Sequence, residues 1–151
     1  MEDWISEIGK AGGVWVGSYR RMTPEGVLLD EWRSRQESRG EAGTWYERVT
    51  YSWADGRSRT MDFKARLEPD GVHVYEKDTR LRGRTYITGA GQVVFPYVWH
   101  DTPGVRVLEV QNYISATRRT RLWQRVDGDT LVEVMVIRED KLPGEKPAIW
   151  Y

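Results

Sequence analysis

The chain has 151 residues, 39% of them hydrophobic and 30% charged, which suits one domain spanning 1–151 with a real core and is too apolar for disorder. Its 23 basic and 23 acidic residues cancel to a formal net charge of zero, removing the basic field that generic nucleic-acid binding needs. There is no cysteine, so disulfides, thiolate metal sites and a Cys nucleophile are excluded, and a cytoplasmic setting is expected.

The opening Met1-Glu2-Asp3-Trp4 has no signal-peptide pattern, and no apolar run approaches the length of a membrane span. Residues 2–10 place Trp4, Ile5 and Ile8 at helical spacing, with Gly12-Gly13 as a stop. A short N-terminal helix follows, either a lid on one end of a barrel or a frayed terminus. A first strand runs over Val14–Met22, and Thr23-Pro24-Glu25-Gly26 is a turn. The second strand, Val27–Arg39, carries Glu31, Arg33, Arg35, Glu37 and Arg39 on one parity. Leu28, Trp32, Ser34, Gln36 and Ser38 hold the other, so the inward face is unusually polar.

Gly40-Glu41-Ala42-Gly43 turns the chain into a long hairpin, Trp45–Ala65. Trp45, Val49, Tyr51 and Trp53 share one face before the turn, and Met61, Phe63, Ala65 and Leu67 after it. Asp55-Gly56 reads as a type I′ turn. With Trp45, Tyr51 and Trp53 inward, Arg48 is outside and the interior is aromatic. A slip of one residue would instead turn Tyr46, Arg48 and Thr50 inward. Further strands are expected at Val72–Lys77, Leu81–Thr88 with an interruption at Gly83, Gln92–His100, Val105–Ala116, Arg118–Val126 and Thr130–Arg138. Pro96 demotes the Gln92–His100 run to an edge, a bulge or a strand end. The tail Ile149-Trp150-Tyr151 is apolar and expected to dock. Strands every eight to twelve residues, joined by tight turns, predict an all-β protein: a single antiparallel up-and-down barrel of eight to ten strands.

Trp and Tyr number eight each against two Phe, so most aromatic surface carries a polar handle, suiting a half-wet cavity. Arg outnumbers Lys 18 to 5, and a guanidinium serves where carboxylates or rings are met. Arg119 and Arg121 share a face with Trp123 and Arg125. A solvated strand face is the plainer reading, since buried Arg is rare without a partner; contact with a ligand carboxylate or carbonyl is the other. Arg106 and Arg138 invite the same pair of readings. Glu109 and Gln111, and Glu133 between Leu131 and Met135, lie on apolar faces, where a carboxylate is either a raised-pKa acid or an Arg partner. His100 beside Asp101 is either a general base or a surface turn residue. His73 sits in a charged neighbourhood, and no metal-ligand spacing is present.

The run Trp15-Val16-Gly17-Ser18-Tyr19 resembles the first strand of the lipocalin/calycin superfamily, in the Trp-x-Gly order of its nitrobindin-like and phycobiliprotein-lyase-like branches. Together with Thr23-Pro24-Glu25-Gly26, Arg33-Ser34, Tyr51-Ser52-Trp53-Ala54-Asp55-Gly56-Arg57, Arg119-Thr120-Arg121 and Ile137-Arg138-Glu139-Asp140, it is similar to the DUF3598 family of lipocalin-like proteins. The resemblance implies one barrel with a mouth, a closed base and a cavity for a small hydrophobic molecule that is lipid-, pigment- or polyketide-like. Trp15, Trp32, Trp45, Tyr51, Trp53, Phe63 and Trp99 would line it, with Tyr19, Gln36 and Arg121 orienting the ligand. Nitrobindin-like barrels hold haem through a His, for which His100 is the candidate here; without the supporting motif, no cofactor is expected. The alternative is a cofactor-free cyclase or isomerase that folds a flexible substrate in the same cavity. The aromatic content leaves a homodimer open.

Overall fold

The computed structural model describes residues 4–89 and 91–148; the Ile149–Tyr151 tail lies outside the described residues. In chain order the elements are α1 (Trp4–Ala11), β1 (Gly12–Met22), β2 (Leu28–Glu41), β3 (Thr44–Ser52), β4 (Ser58–Leu67), β5 (His73–Tyr75), β6 (Leu81–Arg84), β7 (Tyr86–Gly89), β8 (Gln92–Trp99), β9 (Val105–Ser115), β10 (Arg118–Asp127) and β11 (Thr130–Lys141). All pairings are antiparallel. Each strand pairs with its sequence neighbour except at two places: β1 pairs with β11, and β6 pairs with β8. These two contacts close the sheet into a ten-stranded up-and-down barrel, with β7 continuing the line of β6 along β8. Among the described residues no helix is long and apolar enough to cross a membrane.

Side-chain alternation decides what the barrel encloses. On β2, Trp32, Ser34, Gln36 and Ser38 are buried. On β3, Trp45 and Val49 point into the core, while Arg48 on the opposite face pairs bidentately with Asp62 at 2.7 and 2.9 Å. The aromatic register is therefore the observed one, and it brings Glu47 inward with Trp45 and Val49.

Three hairpin loops share one construction. Thr23 N bonds Val27 O, Trp53 N bonds Arg57 O, and Glu68 N bonds Val72 O, each loop closing through a glycine: Gly26, Gly56 and Gly71, with φ of +92°, +90° and +88°. This is the three-residue loop of a type I turn followed by a left-handed glycine. It corrects the type I′ assignment at Asp55-Gly56, because Asp55 is not at positive φ and only Gly56 needs glycine's freedom. The two-residue loop between Glu41 and Thr44 does use positive φ twice, at Ala42 (50°) and Gly43 (77°). An alanine there is strained by about 1 kcal/mol. Ala42→Asn is therefore expected to raise stability by about 0.5–1 kcal/mol, read as a higher urea midpoint at unchanged slope.

The interruption expected at Gly83 falls at Thr85, whose N–H and Oγ1 both bond the His73 backbone. Pro96 lies opposite this break, between the Gly83–Tyr97 and Tyr86–Val94 pairs. Its missing N–H thus costs no ladder bond, and β8 runs inside the ring rather than at an edge or an end. The helix α1 lids one end of the barrel: Ile5 and Ser6 are buried, Ser6 Oγ donates to the Asp70 carbonyl, and Gly12 at φ 74° ends the helix.

Candidate functional site

The interior holds a cavity of about 120 Å³ beneath α1. Its far end is plugged by rings. Tyr19 stacks on Trp32 at 5.6 Å, Tyr51 meets both edge-on, and Trp53 leans on Trp32 at 5.3 Å. Along one side, Phe63, Tyr75, Phe95, Tyr97 and Trp99 form a second aromatic run, with Phe95 and Tyr97 stacked at 4.5 Å.

Across from these rings lies a polar network built by β9, β10 and β11. Arg119, Arg121 and Glu139 alternate inward with Ile137 and Met135, and all are buried. Glu139 Oε1 accepts from Arg119 Nε at 2.8 Å and Arg121 Nε at 2.7 Å. Arg121 also donates to Glu109 Oε1 at 3.3 Å and to the Tyr19 hydroxyl. Arg119 donates to the Tyr113 hydroxyl and to Gln36 Oε1, both at 2.9 Å, and lies over the Trp15 ring at 4.2 Å. Burial alone would raise the Glu139 carboxyl, but Arg119 and Arg121 more than offset it and hold it down at about 2. The solvated reading of Arg119 and Arg121 is thereby corrected: with carboxylates available inside, the barrel buries both.

The network ends at Glu47. Its Oε1 accepts from Gln36 Nε2 at 2.7 Å and from Trp45 Nε1 at 3.4 Å. Burial raises this carboxyl against the opposing pull of Arg121 and Arg119. Burial likewise pushes the Tyr51 phenol up to about 12, and those of Tyr75 and Tyr97 well above the ordinary range, so these hydroxyls keep their protons.

Of the sequence-predicted residues, Trp15, Tyr19, Gln36 and Trp45 line the cavity, as do Tyr51, Phe63, Trp99 and Arg121. Trp32 and Trp53 are set beyond it in the ring plug, where Trp53 Nε1 donates to Asp30 at 3.1 Å. Glu109 pairs with Arg121, and Glu133 with Arg21 and Arg125 at 2.8 and 3.1 Å. Arg106 donates to the Gly128 carbonyl and Arg138 is exposed. His100 is exposed, and its Nε2 lies 2.9 Å from the Asp78 carbonyl, tying it to backbone rather than to Asp101.

Glu47, Glu139 and His73 belong to the interior but were not picked out from the sequence. Glu47 shares the parity of Trp45 and Val49, and Glu139 that of Met135 and Ile137, so alternation held the signal. His73 stacks on Trp45 at 4.0 Å, and its Nε2 lies 2.7 Å from the Gly9 carbonyl of α1. Burial lowers it to about 4 against the pull of the Gly9 bond. The unfolded chain binds this proton near 6.5 and the folded chain only near 4. His73 thus contributes stability that is full above pH 6.5 and is lost as pH falls toward 4. Glu47, raised on folding, works in the opposite sense over its own range. Comparing urea unfolding of the wild type with His73→Gln across this window isolates the His73 slope, which is expected to vanish in the variant.

No protein-family model matches the sequence, and no curated protein matches it. Among solved structures, a protein of unknown function from the DUF3598 family of Nostoc punctiforme superposes with a TM-score of 0.68 at 14% identity, covering 86% of this chain and 47% of that one. This chain thus spans about half the length of that relative. The S-type phycobiliprotein lyase CPES of Guillardia theta superposes with a TM-score of 0.65 at 11% identity, covering 93% and 92% of the two chains. The protein EF1p2_mFAP2b, in a structure bound to DFHBI, superposes at 0.50 with 8% identity, covering 93% and 100%. The chain is a closed, lipocalin-like β-barrel that resembles in fold the DUF3598 protein and the phycobiliprotein lyase.

Proposed function

We propose that this barrel binds one compact, largely apolar small molecule in the cytoplasm. The observation that carries the proposal is the cavity itself. A barrel of this size can be filled solid by its own side chains, yet here about 120 Å³ is left between ring faces and a buried polar network. That volume is close to the ~150 Å³ of an apolar cavity that takes benzene, and below the ~300 Å³ at which drug-sized sites begin. It suits a molecule of one or two rings. A whole tetrapyrrole or a long acyl chain would require the α1 lid or the ring plug to move. The solved structure of similar fold that is bound to DFHBI agrees with a ligand-holding use of the barrel.

Native mass spectrometry of freshly purified protein, with thermal-shift screening of single-ring compounds, tests the proposal. A co-purifying adduct or a saturable stabilisation is expected. Protein of bare chain mass that no compound stabilises would overturn it. Cofactor-free isomerase or cyclase chemistry is a second reading, favoured by one observation: Glu47 is a carboxyl with raised pKa inside the cavity, as a general acid requires. Turnover abolished by Glu47→Gln would carry that reading.

A further inference from the structure

The interior polar network holds three carboxyls to two guanidiniums, and the surplus carboxyl names a ligand class. This inference rests on the cavity being a binding site. Arg119 and Arg121 are matched by Glu139 and Glu109, each Arg within 3.3 Å of a carboxylate oxygen. These four groups sum to zero. Glu47 is a third carboxyl, and it accepts from the neutral donors Gln36 and Trp45, both on Oε1. Glu47, Tyr75 and Tyr97 all line the cavity. Beside Glu47 stand the Trp45 ring on its own strand and Phe63 directly across the β3–β4 ladder.

A carboxyl on the cavity wall, phenol oxygens and several π faces around a small void form a receptor for a cation. The carboxylate supplies the counter-charge, the oxygens accept N–H bonds, and each ring presents its negative face. A neutral apolar guest would leave the Glu47 carboxyl without a counter-charge in a site withdrawn from water, which costs free energy. An anion would add to the carboxyl surplus and find no unmatched guanidinium in this network.

We propose that the cavity selects a compact, singly charged nitrogen base, a primary or secondary amine or an amidine on a single-ring body, with Glu47 as its counter-ion. The carboxyl's burial, which disfavours its charged form when the cavity is empty, is the tension that such a guest relieves.

Isothermal titration of the full chain with benzylamine and benzamidine, against the near-isosteric benzyl alcohol and benzoate, tests this. The cations are expected to bind at least tenfold more tightly than benzyl alcohol, with benzoate weakest. Glu47→Gln should reduce the preference for the cations to about unity. The wild-type ranking decides the matter even if that variant does not fold. Benzyl alcohol or benzoate binding as well as the amines would overturn the charge assignment while leaving the cavity a ligand site. Failure of all four probes and of the wider single-ring screen would overturn both.

Discussion

Replacing Glu139 with Gln is expected to destabilise the barrel by about 3–5 kcal/mol, a large part of the ~5–15 kcal/mol that holds a domain together. The Glu139 side chain is 0% exposed, and it is the carboxylate shared by Arg119 and Arg121, themselves only 6% and 9% exposed. Glutamine keeps the size and one acceptor oxygen but not the charge. Arg119 is then left with the Tyr113 hydroxyl and the Gln36 carbonyl, both neutral, while Arg121 must rely on Glu109. Neither guanidinium can discard its proton, so an uncompensated charge stays in the core. Glu133→Gln is the matched control. Its partners Arg21 and Arg125 are 38% and 32% exposed, and a pair that water reaches contributes roughly 0–1 kcal/mol. Urea unfolding should therefore separate two Glu→Gln changes on the same strand by several kcal/mol. Equal, small effects would mean that the network does not organise the core. Acid points the same way: the Glu139 contribution is full above its ordinary value of 4.5 and is lost as pH falls toward 2.

The strand pattern made much of this legible. Alternation on Val27–Arg39 and Trp45–Ala65 identified the inner faces, and the punctuation at Pro24-Glu25-Gly26 and Pro69-Asp70-Gly71 marked the hairpins. The polar interior was less legible, for a physical reason. Whether Arg119 and Arg121 are buried depends on partners at Gln36, Tyr19 and Glu139, which lie 83, 102 and 18–20 positions away in sequence. No local window contains them. A lone Arg on a strand is cheapest in water, and it becomes a core residue only once the barrel closes and brings carboxylates opposite. His73 is similar: burial in the closed barrel lowers its pKa, and the α1 carbonyl that its ring meets, at Gly9, lies 64 positions away. Glu47 differs, since its inward parity was readable. A carboxylate among Trp45, Val49 and Tyr51 contradicts the expectation of an apolar face. Such local contradictions are where function tends to sit.

Gly17→Ala is expected to be the other severe change, and it acts on the seam that closes the barrel. Gly17 sits between Trp15 and Tyr19 on β1 and pairs with Glu139 on β11 and Ser34 on β2. A Cβ at this position would run into the Arg138 carbonyl oxygen and come within 2.8 Å of Glu139 Cγ. The obstacle is backbone as well as side chain, so no rotamer change relieves it. Either the β1–β11 ladder opens or Glu139 is driven off Arg119 and Arg121. Overpacking costs about 1–3 kcal/mol, and here the loss of the buried ion pairs adds to it. Gly104→Ala is the control, because an added Cβ there has nothing within 4 Å and its backbone is not left-handed. That change should be neutral or stabilising by a few tenths of a kcal/mol through the unfolded chain. Hydrogen exchange distinguishes the two ways Gly17→Ala can act. Fast exchange confined to β1 and β11 amides would mean that the seam has parted. Protected amides with a urea midpoint lowered as far as in Glu139→Gln would mean that the strands hold and the carboxylate has moved. In both cases the missing side chain at Gly17 is the space that lets Glu139 stand inside the barrel, and the Trp15-x-Gly17-x-Tyr19 spacing is then a requirement of the polar network rather than of the turn geometry around it.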